Sequence, residues 1–352
     1  MRRILIYTFF LALVCACTSP KGGYVTVSGY AQGGTYAVKF SIDGVSQKPE
    51  VIRDSIDSIL RQIDNSLSGY NKNSILSRFN SGERVIPDSL FLDIYSHACN
   101  IYNLTGGKVD VASAPLFDIW GFGFKSGELP DDETIAQTVA SSGMKRLVSD
   151  MPSKISSDGS LKAVDLLKDA YPSDINPKLN YNAIAQGYSC DVVARYLYSI
   201  GVKNMMVDIG EIFCDGVNPS GQPWTLGIDR PVDGNNELGA DIQAIFRVPE
   251  GPHGVVTSGN YRKFYVRGGR KYAHTIDPVS GYPVDHTLLS ATILASDAML
   301  ADAYATYCMV IGLDASKAFI ESSPELEGCL IYDDDGVFAT WTSSGFTITS
   351  LQ

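Results

Sequence analysis

Apolar residues recur along this chain at two periods. Ile52, Ile56, Ile59, Ile63 and Leu67 stand three or four positions apart, which places them on one face of a helix and predicts an amphipathic helix over 50–68. Further helices are predicted over 88–103, closed by Thr105-Gly106-Gly107, and over 183–200 through Val192, Val193, Tyr196 and Ile200. Residues 131–142 and 162–170 carry weaker helical patterns. From Tyr24 the pattern alternates, and 36–40 reads as a strand. After residue 200 the chain turns strand-rich, with candidates at 205–209, 224–228, 242–248, 254–258, 264–266 and 289–294. One strong helix interrupts them at 297–311, and 328–350 reads as a terminal strand meander. Helices and strands come in blocks rather than in strict alternation. That predicts an α+β fold of mainly antiparallel sheet with packed helices, arranged as two intimately associated lobes.

The amino terminus is a different kind of segment. Arg2 and Arg3 precede an apolar run of 13 residues, 4–16, shorter than the roughly 20 needed to span a bilayer. It ends Leu13-Val14-Cys15-Ala16-Cys17, and a small residue before Cys at the close of an apolar run resembles the bacterial lipobox. The expectation is a signal peptide over 1–16, a lipidated Cys17 with a short linker over 17–23, and one domain over 24–352. The protein would sit on the periplasmic side of a membrane, held by its lipid. A plain signal peptide with two incidental cysteines is the alternative. The other cysteines, Cys99, Cys190, Cys214, Cys308 and Cys329, are odd in number, widely spaced and free of CxxC pairs. They form neither a disulfide framework nor a zinc site, and read as small buried hydrophobes.

The 352 residues carry 28 Lys+Arg against 39 Asp+Glu, a net charge of −11. This acidity, without a basic stripe, argues against nucleic acid as a partner. An anionic substrate would need a local positive charge, and a divalent cation is the usual source.

Candidate chemistry concentrates in three places. In the 297–311 helix, Asp297 suits the first turn as a cap. Asp302 instead shares a stripe with Met299, Thr306 and Val310, and a buried carboxylate needs compensation. Asp302 and Thr306, at i and i+4, offer oxygens side by side that suit Mg²⁺, unless they only hydrogen-bond within the helix. The second place is Ser258-Gly259-Asn260-Tyr261 followed by 273–283, Ala-His-Thr-Ile-Asp-Pro-Val-Ser-Gly-Tyr-Pro, where Asp-Pro-x-x-Gly marks a tight turn. His274 leads into it and could serve as a base or be a structural residue. The third is 182–188, Asn-Ala-Ile-Ala-Gln-Gly-Tyr, which opens a helix whose free amides attract phosphate and whose carbonyls can ligate a cation. His97 reads as structural, and His253 and His286 carry no site signal.

In order along the chain, these segments resemble the ApbE family, the FAD:protein FMN transferases. The resemblance rests on Gly34-Thr35-Tyr36, the stretches 74–80, 105–111 and 115–123, then 183–191, 207–211, 259–262, 274–283 and 298–306. It implies Mg²⁺-dependent transfer of the FMN half of FAD to a Ser or Thr hydroxyl of an acceptor protein, with release of AMP. It further implies Mg²⁺ ligation by Asp302, Thr306 and the Ala183 carbonyl, and places His274 and Asp302 as the catalytic residues, His274 as the base. By the same resemblance, FAD contacts fall on Gly33, Tyr70, Lys108, Val109, Asp110, Asn180, Gln186 and Ile276. Gly33, Lys108, Val109, Asn180 and Gln186 depart from the residues usual in the family. On sequence alone, an FAD pyrophosphatase and a non-catalytic flavin-binding lipoprotein remain open as alternatives.

Overall fold

A computed structural model describes residues 23–122, 129–172, 175–232, 239, 241–261, 264–267 and 270–351. The expected leader, Cys17 and the linker up to residue 22 lie outside the described residues, as do Gly123 and Arg262. Strands β1 (Tyr24–Ala31) and β2 (Gly34–Ser41) open the chain as a hairpin. Its turn takes positive φ at both Gln32 (52°) and Gly33 (82°), the conformation that matches the twist of tightly linked strands. Helices α1 (Pro49–Leu67), α2 (Ile75–Asn80), α3 (Ser89–Leu104), α4 (Ala114–Ile119), α5 (Asp132–Ser141) and α6 (Ala185–Ser199) follow. Then come β3 (Met205–Asp208), β4 (Ile212–Asp215), β5 (Thr225–Asp229), β6 (Ile242–Arg247), β7 (His253–Gly259), β8 (Phe264–Arg267), β9 (Arg270–Ala273) and β10 (Leu288–Ala295). The chain closes with α7 (Ala298–Ile311), α8 (Leu313–Glu321), β11 (Glu327–Asp334), β12 (Val337–Thr342) and β13 (Ile348–Ser350).

The main sheet runs β1-β2-β3-β4-β7-β10-β11-β12, antiparallel at every pairing. The predicted α+β class and the antiparallel sheet therefore hold, and helix 50–68 falls within a residue of its predicted bounds. Ile52, Ile56 and Leu60 of α1 pack on Val38 and Phe40 of β2, whereas Ile63 and Leu67 enter a second cluster with Phe79, Phe91, Ile94 and Tyr188. One helix face thus joins the sheet to a helical lobe.

Helix α7 is apolar all round because it is surrounded. Ala298 packs toward α1 and β2, Met299 and Ala303 into the helical lobe, and Ala301, Ala305, Cys308 and Met309 against β10 and α8. Close approach is achieved with glycine: a Cβ on Gly187 of α6 would strike the Ala298 carbonyl, and one on Gly254 of β7 the Asp297–Ala298 backbone.

Two expectations fail. Residues 162–170 form no α-helix; only Ala163–Leu166 coils, as a 3₁₀ turn. Bridges from Leu161 to Val85 and from Leu167 to Leu147 hold both ends extended, so tertiary pairing overrides the local pattern. The terminal meander also breaks. β11 and β12 pair, but β13 crosses to β6 in a separate sheet, β13-β6-β5, where Phe346 stacks on Phe246. The short helices α2, α4 and α8 are additions to the predicted set.

Candidate active site

The first turn of α6 meets α7. Gly187, in the first turn of α6, donates its N–H to Asp302 Oδ2 over 3.2 Å. Asp302 is 5% exposed and lies on the stripe predicted from its spacing. One turn on, Thr306 Oγ1 lies 3.5 Å from Ser258 Oγ of β7. Burial pushes the Asp302 carboxyl up to about 7, and the nearby Asp191 charge adds to the rise. Asp191 sits on α6 and accepts the N–H groups of Ala298 and Met299, both at 2.9 Å, while Asp297 caps the same helix from Leu300 N–H as expected.

Ala183 occupies the turn just ahead of α6 and packs, half-buried, against the cluster holding Met299 and Ala303. Among the described residues no three His, Cys, Asp or Glu side chains gather as a metal-ligand set. The predicted ligand set of Asp302, Thr306 and the Ala183 carbonyl would use one carboxylate and neutral oxygens. That set fits a hard cation, because a carboxylate this buried, with one amide donor and no ion pair among the described residues, needs positive charge.

Most of the predicted FAD-contact residues fall into linked segments. Gln186 donates to the Ile209 carbonyl over 3.2 Å, binding the α6 start to the β3–β4 turn, where Gly210 takes φ 93°. Any side chain at Gly210 would collide with Gln186. Asn180 N–H bonds Val111 O at 2.7 Å, so the 109–111 segment lies against the approach to α6, and Asn180 Oδ1 accepts from Asn182 N–H. Asp110 is engaged by backbone: Oδ1 accepts from Ala112 N–H, and both oxygens accept from Met144 N–H. Burial raises its carboxyl to about 6. Val109 and Ile276 point into the core, so each has only main chain left for a ligand. Gly33 lies in the β1–β2 turn, which Gln32 ties to Ser189 of α6. Tyr70, 70% exposed, stands on the α1–α2 loop. Its neighbour Ser68 accepts at its carbonyl from Ser74 and Ser77 hydroxyls.

His274 is half-buried immediately after β9. Its loop is the predicted tight turn, closed by Gly281 N–H to Asp277 O at 2.8 Å and Asp277 N–H to Tyr282 O at 2.9 Å. Two long-range contacts brace that turn. Lys108 Nζ pairs with Asp277 Oδ2 at 2.8 Å, and Trp120 Nε1 donates to Gly281 O at 2.7 Å. Of the other histidines, His97 faces Asp93 along α3, and His286 meets the Met309 carbonyl. The five described cysteines are all free and buried.

Sequence reasoning assigned no role to Asp191 or Ser258. Asp191 could have been found, since Gly187, Asp191 and Ala194 repeat at helical spacing among residues that are all buried. Ser258 opened the 258–261 motif in the sequence, but its place opposite Thr306 is set only by the sheet.

Residues 32–330 match the ApbE family. This chain belongs to that family. It is 32% identical to the FAD:protein FMN transferase of Vibrio cholerae over 98% of each chain, and 31% identical to that of Haemophilus influenzae over 96% of this chain and 94% of the relative. The crystallised ApbE flavin transferase of Vibrio cholerae superposes with a TM-score of 0.73 at 32% identity, covering 92% of this chain and 98% of the other. The ApbE resemblance read from the ordered motifs is thereby borne out, together with its fold.

Proposed function

We propose that this ApbE-family chain is an FAD:protein FMN transferase that uses Mg²⁺. It joins the FMN half of FAD to a Ser or Thr hydroxyl of an acceptor protein and releases AMP. The observation that carries this reading is the buried Asp302, seated beside Gly187 N–H with the Thr306 and Ser258 hydroxyls one turn away, in a chain similar over nearly its full length to named transferases.

The chain's own groups divide the work. The hydroxyl oxygen attacks the phosphorus of the FMN half and stays in the new phosphoester, the bond from that phosphorus to the bridging oxygen breaks, and AMP departs with the bridging oxygen. His274 takes the hydroxyl proton. Gln186 and Gly210 set the backbone at the start of α6, where the Ile184 and Ala185 N–H groups are taken by the Tyr181 carbonyl and that of Gly187 by Asp302, so the α6 terminus is not the free amide cradle expected from sequence. The Lys108–Asp277 pair holds the His274 loop against 108–110. Mg²⁺, held by Asp302, Thr306 and the Ala183 carbonyl, would neutralise charge on the pyrophosphate, which this acidic protein would otherwise repel.

The deciding experiment incubates the protein with FAD, Mg²⁺ and candidate acceptor proteins. An FMN adduct on an acceptor Ser or Thr, with matching AMP, supports transfer. AMP and free FMN at the same rate without acceptor would mean hydrolysis instead, and FAD binding without AMP would mean a carrier.

Localisation follows the sequence. The run before Cys17 supports cleavage there, lipidation of the thiol and attachment to the periplasmic face of a membrane. Loss of labelled fatty acid and of membrane association in Cys17→Ala tests it.

A further inference from the structure

Arg146 is the odd charge in the helical lobe. It lies in a short 3₁₀ turn, 3% exposed, and none of the ion pairs formed by the described residues includes it. Its guanidinium face rests on the Tyr171 ring at 4.7 Å, and Nη1 donates to the Ser141 carbonyl. Nε has no acceptor among the described residues. A guanidinium stays charged at any accessible pH, and burying one without an anion is costly.

Arg146 also forms part of the wall of a cavity of about 280 Å³, small-ligand size. Lys178 stands on the same wall, paired with Asp118 at 3.4 Å and still partly exposed. The Thr138 and Ser142 hydroxyls already donate to carbonyls of α5, which leaves Arg146 as the charged donor without a match. The rest of the lining includes the apolar Ile119, Leu147, Leu167 and Pro177 together with Asn176 and the Asp118 carboxylate that Lys178 pairs. Ala112 and Gly143 line the side next to the flavin segment, where the Asp110 carboxylate binds the N–H groups of Ala112 and Met144.

We infer that this cavity is a second binding site, separate from the flavin site, for a small organic anion. Its carboxylate or phosphate head sits on Arg146 and its apolar body lies against Ile119, Leu147 and Leu167. The head meets Arg146 where that residue lines the cavity, Nε itself being sealed from it, and Lys178 adds attraction at the rim. The inference holds whatever the protein does with flavin.

Two probes test it: 4-bromobenzoate, whose bromine can be located by anomalous scattering, and inorganic phosphate, which has the head without the body. The expected result is saturable binding of bromobenzoate, bromine inside the cavity, and weaker binding of phosphate at the same place. Arg146→Gln should weaken bromobenzoate at least tenfold, about 1.4 kcal/mol, while FAD binding persists and shows that the variant folds. Lys178→Gln, at a half-exposed position where folding is not at stake, should weaken it several-fold and serves if Arg146→Gln fails to fold. Absence of saturable binding, bromine located elsewhere, affinity unchanged in Lys178→Gln, or displacement of the probe by FAD would each overturn the proposal.

Discussion

Asp191 and Asp302 cross-cap the two central helices: Asp302 of α7 accepts the Gly187 N–H at the start of α6, and Asp191 of α6 accepts the Ala298 and Met299 N–H groups at the start of α7. Each carboxylate finds amide donors and the positive end of a helix dipole, yet the two lie close enough that Asp191's charge raises the Asp302 carboxyl. Burial is the larger cause in both, and both rise from 3.8 to about 7.

The stability consequence has a definite sign. The folded protein holds these protons more tightly than the unfolded chain, so the stability they supply is complete below about pH 4 and is lost as pH climbs through about 7. In metal-free buffer the melting temperature of the wild type should fall between pH 5 and pH 8 by more than that of Asp302→Asn. Equal slopes in the two proteins would show that Asp302 does not titrate as its burial requires.

A divalent cation should reverse that loss. Metal binding needs the deprotonated carboxylate, so Mg²⁺ should raise the melting temperature more at pH 8 than at pH 5, and chelation should remove the gain. Asp302→Asn should show neither effect. A Mg²⁺ shift of the same size in Asp302→Asn would put the cation elsewhere.

The sequence made this centre partly legible. Asp302 stood out because a carboxylate on an apolar stripe has no cheap explanation, and the turn at 277–281 announced itself by Pro and Gly. Helix α1 was readable from its periodicity to within a residue. What stayed hidden depends on distant pairing. Ser258 acquires meaning only opposite Thr306, the 163–166 segment is held extended at both ends by bridges to Val85 and Leu147, and β13 leaves its neighbours for β6. Local pattern encodes burial but not partner.

Packing at the crossing gives a stability prediction. Gly187 admits the Ala298 carbonyl into the space a side chain would fill. Gly187→Ala must separate α6 from α7 and should cost about 1–3 kcal/mol. The same separation pulls the amide away from Asp302, so Mg²⁺-dependent stabilisation should weaken alongside. Chemical denaturation with and without Mg²⁺ measures both; an unchanged midpoint would mean that the helices have slack the structure does not show.

The Lys108–Asp277 pair predicts an effect on substrate more than on folding. Both side chains are partly exposed, so the contact itself contributes about 1 kcal/mol or less to stability. It nonetheless joins the 108–110 segment to the His274 loop. Asp277→Asn should raise the KM for FAD several-fold with little change in melting temperature, and Lys108→Met should do no further harm in that background. Additive effects of the two substitutions would show that the residues act separately.

His274 carries the sharpest kinetic prediction. Its loop is braced by Lys108 and Trp120 on one side and closed by its own turn on the other, so removing the imidazole should leave the loop in place. FAD affinity and Mg²⁺ stabilisation should therefore survive His274→Ala. Transfer to the acceptor should slow by about 10²–10⁴-fold, the usual contribution of a positioned base. Because the missing function is proton acceptance, added imidazole should restore part of the rate, and the restored rate should follow the neutral form of imidazole as pH is varied. Full turnover by His274→Ala without rescue would remove it as the base and return the proton to solvent or to the acceptor protein itself.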